Sequence, residues 1–307
     1  MRLGVLDIGS NTVHMLVVDA ERGRPHVPVA NVRSVVRLMR FLEPDGSIGP
    51  EGVDLVLAGV REGLALALAH DVPELMVLVT SAVREAPNGA DVIGQVEQIL
   101  GEEVRILSGE QEAALTFLAA RRWHGWGAGR IMLLDIGGGS LEIAYGEGEV
   151  PDVALSVPLG AGRSTIQFLD TDVSTPEQVE ALRTHARAVL ADALAVLDER
   201  PRADHVVATS KTFRSLARLA GMQVEAVGPD DRWRMRRSQL ADWVPRLARL
   251  TAQGRTELPG ITPERTYQIV GGAIVAEETM RALKVQEIEI CPWAMREGAI
   301  LDRLDRR

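Results

Sequence analysis

Residues 134–142 read LDIGGGSLE, and residues 6–14 read LDIGSNTVH. In both stretches an apolar run reaches an aspartate and then passes into a turn that begins Ile-Gly. The two aspartates, Asp7 and Asp135, are 128 residues apart. Such self-similarity at a fixed offset indicates an internal repeat, here of a whole domain.

A second landmark supports the repeat, because the Thr-Ser pairs at 80–81 and 209–210 are 129 residues apart. Each copy is predicted to be an α/β domain with the element order βββαβαβα. In the first copy the predicted strands are 3–8, 13–19, 26–38, ELMVLVTSA and EVRILS, and the predicted helices are 50 to about 70, 89–100 and 109 to about 123. We expect domains of 1–125 and 126–294, with the final helix, about 295–307, packing back on the first domain.

Composition and charge exclude several functions. The chain has 307 residues, a formal net charge of −9 and a sequence pI near 5.3, which argues against general affinity for nucleic acid. Cys291 is the only cysteine, so no intrachain disulfide is possible. No signal-like segment or membrane-length apolar run is present. These features predict a cytoplasmic protein without a membrane or nucleic-acid partner.

The two glycine turns are candidate phosphate-binding loops. Successive glycines let backbone N–H groups lie close to an anion, and a neighbouring Ser or Asn adds hydrogen bonds. The candidates are Gly9, Ser10 and Asn11 in the first turn and Gly137, Gly138, Gly139 and Ser140 in the second. An ordinary hairpin turn explains either one alone, but it does not require an acidic residue before the glycines in both copies. Carboxylates at the ends of buried strands favour a bound Mg²⁺. Asp135 is the first candidate ligand, Glu142 at the other end of the loop is the second, and Asp7 is the third.

The segment LSGEQEAALTF at 107–117 permits two interpretations. Ser108 and Gln111 form a capping-box pattern, and acidic residues complement a helix N-terminus. The same pattern leaves Glu112 in the first turn of the helix, where its side chain can project into a site and act on water. The residues alone do not separate these roles.

Two further residues are candidates near phosphate. Arg84, in TSAVRE, is either an ordinary surface arginine or a planar fork for phosphate oxygens. Glu142 follows Ser140 by two residues, so strand alternation places both on one face. A solvated strand residue is the alternative for Glu142.

Two other segments are predicted to be structural. Gly271-Gly272 is expected to let a helix pack closely rather than to contact a nucleotide. RWRMRR at 232–237 is expected to be a solvated flank before a helix capped by Ser238, with a handhold for a polyanion as the alternative.

Five motifs, in order, give the sequence a strong resemblance to a known family. GVLDIGSNTVHMLVVD, TSAVREAPNG, LSGEQEAALTFL, LLDIGGGSLEI and ATSKTFRSLARL resemble the exopolyphosphatase and guanosine pentaphosphate phosphatase (Ppx/GppA) family, in its short two-domain form. The resemblance covers essentially the whole chain. It implies two duplicated actin-like (ribonuclease H-like) domains with an interdomain cleft, and a divalent cofactor, Mg²⁺ or another cation such as Mn²⁺.

The resemblance also implies residue roles. Glu112 resembles the family's catalytic glutamate, Glu142 its second acidic residue, and Asp135 its metal site. Asn11, Arg84 and the 137–140 loop match phosphate-contacting positions. Lys211 departs from the family's Gly-rich stretch. The resemblance is to the short members, so we do not expect the C-terminal helical domains with which long members hold long polyphosphate.

The expected activity is hydrolysis of the terminal phosphoanhydride bond of inorganic polyphosphate, mainly short chains, with release of orthophosphate. Guanosine pentaphosphate is the alternative substrate. A phosphotransferase of the same superfamily and a non-enzymatic phosphate or nucleotide sensor are alternatives of other classes. The resemblance also allows a homodimer.

Overall fold

The structure is a computed structural model and describes residues 1–221 and 233–306. The chain forms two compact units, one of Met1–Glu112 with Arg296–Arg307 and one of Ala113–Met295. The division falls inside a helix that begins at Gly109, earlier than the boundary at residue 125 expected from the sequence. Among the described residues, no helix is both long enough and apolar enough to cross a membrane.

The first unit is a five-stranded sheet covered by helices. Its strands are β1 (Arg2–Ile8), β2 (Thr12–Asp19), β3 (Val27–Val35), β4 (Leu75–Val79) and β5 (Arg105–Ile106), and its helices are α1 (Pro50–Ala69), α2 (Ser81–Glu85), α3 (Gly89–Leu100) and the start of α4 (Gly109–His124), with a 3-10 turn at Leu38–Phe41. The sheet order is β3-β2-β1-β4-β5. β1 to β3 are antiparallel, whereas β4 and β5 run parallel to β1 and to each other.

Close packing of α1 on the sheet explains the small residues of that helix. A Cβ added at Gly59 would lie 2.8 Å from the Val13 Cβ, and one at Gly63 would lie 2.7 Å from a Leu6 methyl. The glycines therefore let the helix axis approach the strands. The apolar spacing of this segment predicted the helix, and Pro50 at its first turn fits the observed start.

The C-terminal helix α11 (Met295–Asp305) belongs to the first unit from Arg296 onward. Arg303 forms a double ion pair with Glu74, which precedes β4, and Asp302 lies 3.6 Å from Arg105. These contacts attach the end of the chain to the β4 and β5 edge.

The second unit repeats the topology with a six-stranded sheet. Its strands are β6 (Ile131–Ile136), β7 (Leu141–Gly146), β8 (Val153–Val157), β9 (His205–Ala208), β10 (Trp233–Arg236) and β11 (Glu287–Ile290), and its helices are α5 (Ala161–Phe168), α6 (Pro176–Leu194), α7 (Ser210–Leu219), α8 (Arg237–Arg249), α9 (Ala252–Thr256) and α10 (Ile269–Ala282), with 3-10 turns at Trp126–Ala128 and Ala195–Leu197. Its order is β8-β7-β6-β9-β11-β10, which matches the first sheet strand for strand and adds β10 at the edge. The predicted duplicated α/β fold is confirmed.

The RWRMRR segment differs from the prediction. Arg232 lies outside the described residues, and Trp233–Arg236, part of the predicted flank, form the edge strand β10, antiparallel to β11. The Ser238 cap was wrong because α8 already begins at Arg237, where the Gln239 side chain accepts a hydrogen bond from the Arg236 N–H. Arg234 and Arg236 are exposed and lie 3.4 and 3.3 Å from Glu287.

The Gly271-Gly272 pair lies where α10 packs on its neighbours. A Cβ at Gly271 would lie 2.5 Å from Thr165 Oγ1 of α5, and one at Gly272 would lie 2.7 Å from a Thr212 methyl of α7. Both glycines are buried. The geometry agrees with close helix packing.

Candidate functional site

The loop between β6 and β7 presents backbone donors. A hydrogen bond of 2.9 Å from the Gly137 N–H to the Ser140 carbonyl joins the two ends of this loop. The first turn of α5 then binds the loop carbonyls: the Ala161 N–H donates to Gly137 O at 2.9 Å, and Arg163 donates to Gly138 O through its N–H at 3.0 Å and to Gly139 O through Nε at 2.7 Å. Within the described residues, the N–H groups of Gly138, Gly139 and Ser140 donate to no backbone carbonyl. Such a loop is a ready anion site.

Gly160 is what allows α5 to sit so close to this loop. A Cβ at Gly160 would lie 2.3 Å from the Gly139 carbonyl carbon and 2.4 Å from the Ser140 nitrogen. Backbone atoms cannot yield at such distances, so any side chain at Gly160 must push the loop away. The sequence reading did not single out this residue, although PLGAG after a strand is a possible signal.

The loop between β1 and β2 has the same construction in the first unit. The Gly9 N–H donates to Thr12 O at 3.0 Å, the counterpart of the Gly137 bond. The carbonyls of Ser10 and Asn11 accept from the N–H groups of residues 36–38 at 2.7–3.1 Å. Ser10 is buried, and its Oγ lies 3.2 Å from Ser81 Oγ. The repeat therefore includes the way each loop is held.

Asp135 and Glu142 form an acidic pair beside the second loop. They are direct partners in the β6 and β7 ladder, and directly opposite residues of antiparallel strands share a face. Glu142 is 2% exposed and accepts a hydrogen bond from Ser156 Oγ at 2.9 Å. The alternative of a solvated strand residue is therefore wrong for Glu142. Two carboxylates placed opposite each other are a suitable donor set for a divalent cation.

Asp7 occupies the equivalent strand position in the first unit, where its ladder partner is His14. Burial raises the pKa of the Asp7 carboxyl to about 6, and nearby Arg296 opposes this rise while Glu297 adds to it. Arg296 Nη1 lies 4.0 Å from Asp7 Oδ2. Asp7 is thus a desolvated carboxyl, and the Arg296 guanidinium lies at the limit of ion-pair distance from it.

Glu112 and Arg84 lie together in the first unit. The predicted capping box is confirmed, since the Ser108 N–H donates to Gln111 Oε1 at 2.9 Å and the Gln111 N–H donates to Ser108 Oγ at 3.2 Å. Arg84 Nη1 lies 3.6 Å from Glu112 Oε2 and donates to Leu107 O at 2.7 Å. The side chains of Glu112 and Arg84 are 15% and 19% exposed, so neither is an ordinary surface residue.

One group of possible metal ligands was missed by sequence reasoning. His124, His205 and Glu289 bring one ligand atom each within 4.8 Å of one another. They come from the end of α4, the start of β9 and the middle of β11, so no local spacing in the sequence announces them.

Two units of one α/β topology, each with a glycine turn after an acidic strand end, define the actin-like class. Solved structures agree in fold: an exopolyphosphatase from Cytophaga hutchinsonii superposes with a TM-score of 0.86 at 23% identity, covering 100% of this chain and 98% of that one. The Aquifex aeolicus Ppx/GppA family member gives 0.80 at 20% identity, covering 100% and 98%.

The sequence comparisons give the family. The profile of the Ppx/GppA phosphatase family matches residues 16–307, and the chain belongs to this family. It is 47% identical to Exopolyphosphatase 1 of Mycobacterium tuberculosis over 305 residues, 99% of this chain and 89% of the relative. It is equally similar to Exopolyphosphatase 1 of Mycobacterium leprae, covering 99% and 90%. Phosphatases of this family are phosphoanhydride hydrolases and generally use divalent metals.

Proposed function

We propose that the protein is an exopolyphosphatase that releases orthophosphate from the end of inorganic polyphosphate. The observation that carries this proposal is the β6–β7 loop, where the N–H groups of Gly138, Gly139 and Ser140 donate to no backbone carbonyl and which connects the strands that carry Asp135 and Glu142. A terminal phosphoanhydride presents both an anionic phosphate for the donors and a metal-binding oxygen for the carboxylates. Full-length similarity to relatives named Exopolyphosphatase 1 supports the same substrate.

Gly138, Gly139 and Ser140 hold the terminal phosphate through their backbone N–H groups, and Gly137 closes the loop through its hydrogen bond to the Ser140 carbonyl. Gly9, Ser10 and Asn11 present a second loop of the same construction for phosphate oxygens. Hydrolysis of a phosphoanhydride passes through a loose transition state, so positioning and charge stabilisation supply most of the rate. Preformed donors are effective in this role because they need no reorganisation during the reaction.

Glu112 orients the attacking water and accepts its proton. The water oxygen forms the new bond to the terminal phosphorus as the bond from phosphorus to the bridging oxygen breaks. Arg84, held by its bond to the Leu107 carbonyl, fixes the Glu112 carboxylate and offers its guanidinium to phosphate. A positioned base of this kind contributes about 10² to 10⁴-fold.

Asp135 and Glu142 are the residues that would hold Mg²⁺, with Asp7 as a further acidic group of the first unit. The fit rests on two opposed carboxylates whose oxygens are the ligands that hard cations prefer. When bound, the cation neutralises charge that develops on the phosphate oxygens. Ser156, through its bond to Glu142 Oε1, keeps that carboxylate in place.

A phosphate-release panel tests the substrate. The purified chain is assayed on triphosphate, medium and long polyphosphate and guanosine pentaphosphate, with Mg²⁺ varied. We expect release from polyphosphate, fastest on short chains, and little from guanosine pentaphosphate, because the relatives with 47% identity are named exopolyphosphatases. Turnover confined to guanosine pentaphosphate would contradict the proposal.

We further propose a cytoplasmic homodimer. The single buried Cys291 suits a reducing compartment, and the family resemblance motivates the dimer. Light scattering coupled to size exclusion tests the second point, since a mass near 33.3 kDa would exclude the dimer and twice that mass would support it.

A further inference from the structure

We infer that His124, His205 and Glu289 form a second metal site. It takes a divalent metal ion of borderline softness, such as Zn²⁺. The side chains of this cluster, called here the His-His-Glu cluster, offer three ligand atoms within 4.8 Å of one another. Imidazole nitrogen with one carboxylate oxygen is a ligand set of Zn²⁺ sites, whereas Mg²⁺ prefers oxygen alone. The inference is independent of the polyphosphatase proposal.

The cluster lies on one face of the second sheet. Val207 and Glu289 are register partners, and His205 precedes Val207 by two residues, so all three side chains share that face. α4 covers the same face with Ala113, Phe117 and Ala120, which belong to one buried cluster with Val207. His124 follows Ala120 by four residues and so continues this apolar stripe.

The His124 imidazole is a polar group at the end of an otherwise apolar face of α4. The preceding stripe residues are fully buried and apolar, and His124 is only 9% exposed. Its ring lies 5.3 Å, centroid to centroid, from that of His205. The two imidazoles thus face the same small volume at the end of the helix.

The third member brings the negative charge that a dication needs. His205 Nδ1 lies 2.7 Å from Glu289 Oε1, and the Glu289 side chain is 12% exposed. Four-coordinate Zn²⁺ with bonds of about 2.0–2.1 Å sets its ligand atoms about 3.3 Å apart. The three ligand atoms, all within 4.8 Å of one another, therefore lie close to the separation that Zn²⁺ requires. The neighbouring Asp204 accepts hydrogen bonds from the backbone N–H and the guanidinium of Arg130, so among the described residues the cluster supplies three protein ligands.

The cluster is separate from the Asp135 and Glu142 pair. His205 opens β9 and pairs with Ile131 at the start of β6, whereas Asp135 lies four residues further along β6. Four residues of strand span about 13 Å. A metal bound by the cluster would join the end of α4 to β9 and β11, and its function would be to stabilise the second unit.

The test is a titration of the metal-free full chain with Co²⁺, followed by displacement with Zn²⁺. We expect one equivalent of Co²⁺ to give the visible absorption of a four-coordinate ion and Zn²⁺ to abolish it. His205→Asn, which keeps a donor toward Glu289, and Glu289→Gln should each weaken binding by about 100-fold or more, beyond the 10–100-fold typical of outer-shell changes. The matched control is His185→Asn, whose ring stacks on Phe168 and lies outside the cluster.

Asp135→Asn distinguishes this site from the proposed catalytic one. We expect it to leave the Co²⁺ absorption unchanged while phosphate release falls. Loss of the absorption in Asp135→Asn, or its persistence in both His205→Asn and Glu289→Gln, would overturn the inference. Absence of any Co²⁺ absorption in the wild type would also overturn it, and would leave the His205–Glu289 contact as a simple hydrogen bond.

Discussion

Replacement of Asp7 by Asn should stabilise the metal-free protein while impairing its activity. Asp7 is a carboxyl whose pKa is raised from 3.8 to about 6, first by burial, with Arg296 opposing and Glu297 reinforcing the rise. The native state therefore holds this proton more tightly than the unfolded chain. The stability that the protonated Asp7 carboxyl contributes is fully present below pH 3.8 and is lost as pH rises through about 6.

The size of the effect follows from that shift. The rise of the Asp7 pKa from 3.8 to about 6 corresponds to about 3 kcal/mol, because each pKa unit is worth about 1.4 kcal/mol. The Asp7 side chain keeps 19% exposure, so water relieves part of the cost. We expect Asp7→Asn to be about 1–2 kcal/mol more stable than the wild type above pH 7, and to gain little at pH 4.

Thermal unfolding of both proteins in EDTA between pH 4 and 8 measures this difference. Asp19→Asn is a control of opposite sign, because hydrogen bonding to Arg2 lowers the pKa of the Asp19 carboxyl. Its stability contribution is present at neutral pH and is lost on acidification. A Tm of Asp7→Asn equal to or below that of the wild type at pH 7.5 would refute the account of Asp7 as a desolvated carboxyl.

Three further predictions test the second unit. Gly160→Ala should lower phosphate release by about 10-fold or more, because the added Cβ would lie 2.3–2.5 Å from the backbone of residues 138–140. Gly148→Ala is the control, since its nearest contact is 3.7 Å and its rate should not change. Equal rates of phosphate release by the two variants would remove the loop from the mechanism. Glu142→Gln should raise the Mg²⁺ concentration at half-maximal activity by about 10–100-fold, and an unchanged metal requirement would contradict its place as a ligand. Arg255→Met should cost about 3 kcal/mol of stability in thermal or urea unfolding, because the buried guanidinium donates to three backbone carbonyls, and a loss below about 1 kcal/mol would contradict that role.

The duplicated fold could be predicted because its signals are local and occur twice. The Asp-Ile-Gly turns and the later Thr-Ser pairs each mark a strand end, and the strand order of the two sheets agrees with their alignment. The capping box of α4 was equally readable, since Ser108 and Gln111 are three residues apart. Periodicity and caps act within one element, so the sequence states them directly.

Other features depend on partners distant in sequence. WRMR became β10 because it pairs with β11, more than fifty residues later, and its arginines meet Glu287 across that ladder. The approach of Gly160 to the second loop depends on how α5 returns to the β6–β7 turn. The His-His-Glu cluster needs the end of α4 to meet two strands. No spacing of residues in the sequence predicts these contacts between distant elements.

The opposition of Asp135 and Glu142 is an intermediate case. The hairpin register pairs the two residues directly, and a short turn between them in sequence makes this pairing derivable. The prediction placed Glu142 with Ser140 on one face but left a solvated role open. The burial of Glu142 and the hydrogen bond that it accepts from Ser156 decide that point, and Ser156 lies on the third strand of the sheet, β8.

The most direct test of the central claim is phosphate release from short polyphosphate by the wild type, Glu112→Gln and Glu110→Gln in Mg²⁺. Glu110 is an exposed glutamate of the same helical turn and serves as the matched control. With circular dichroism unchanged in all three proteins, we predict a fall of about 10²-fold or more for Glu112→Gln and near-normal turnover for Glu110→Gln. Wild-type turnover by Glu112→Gln would remove Glu112 from the mechanism and contradict the account.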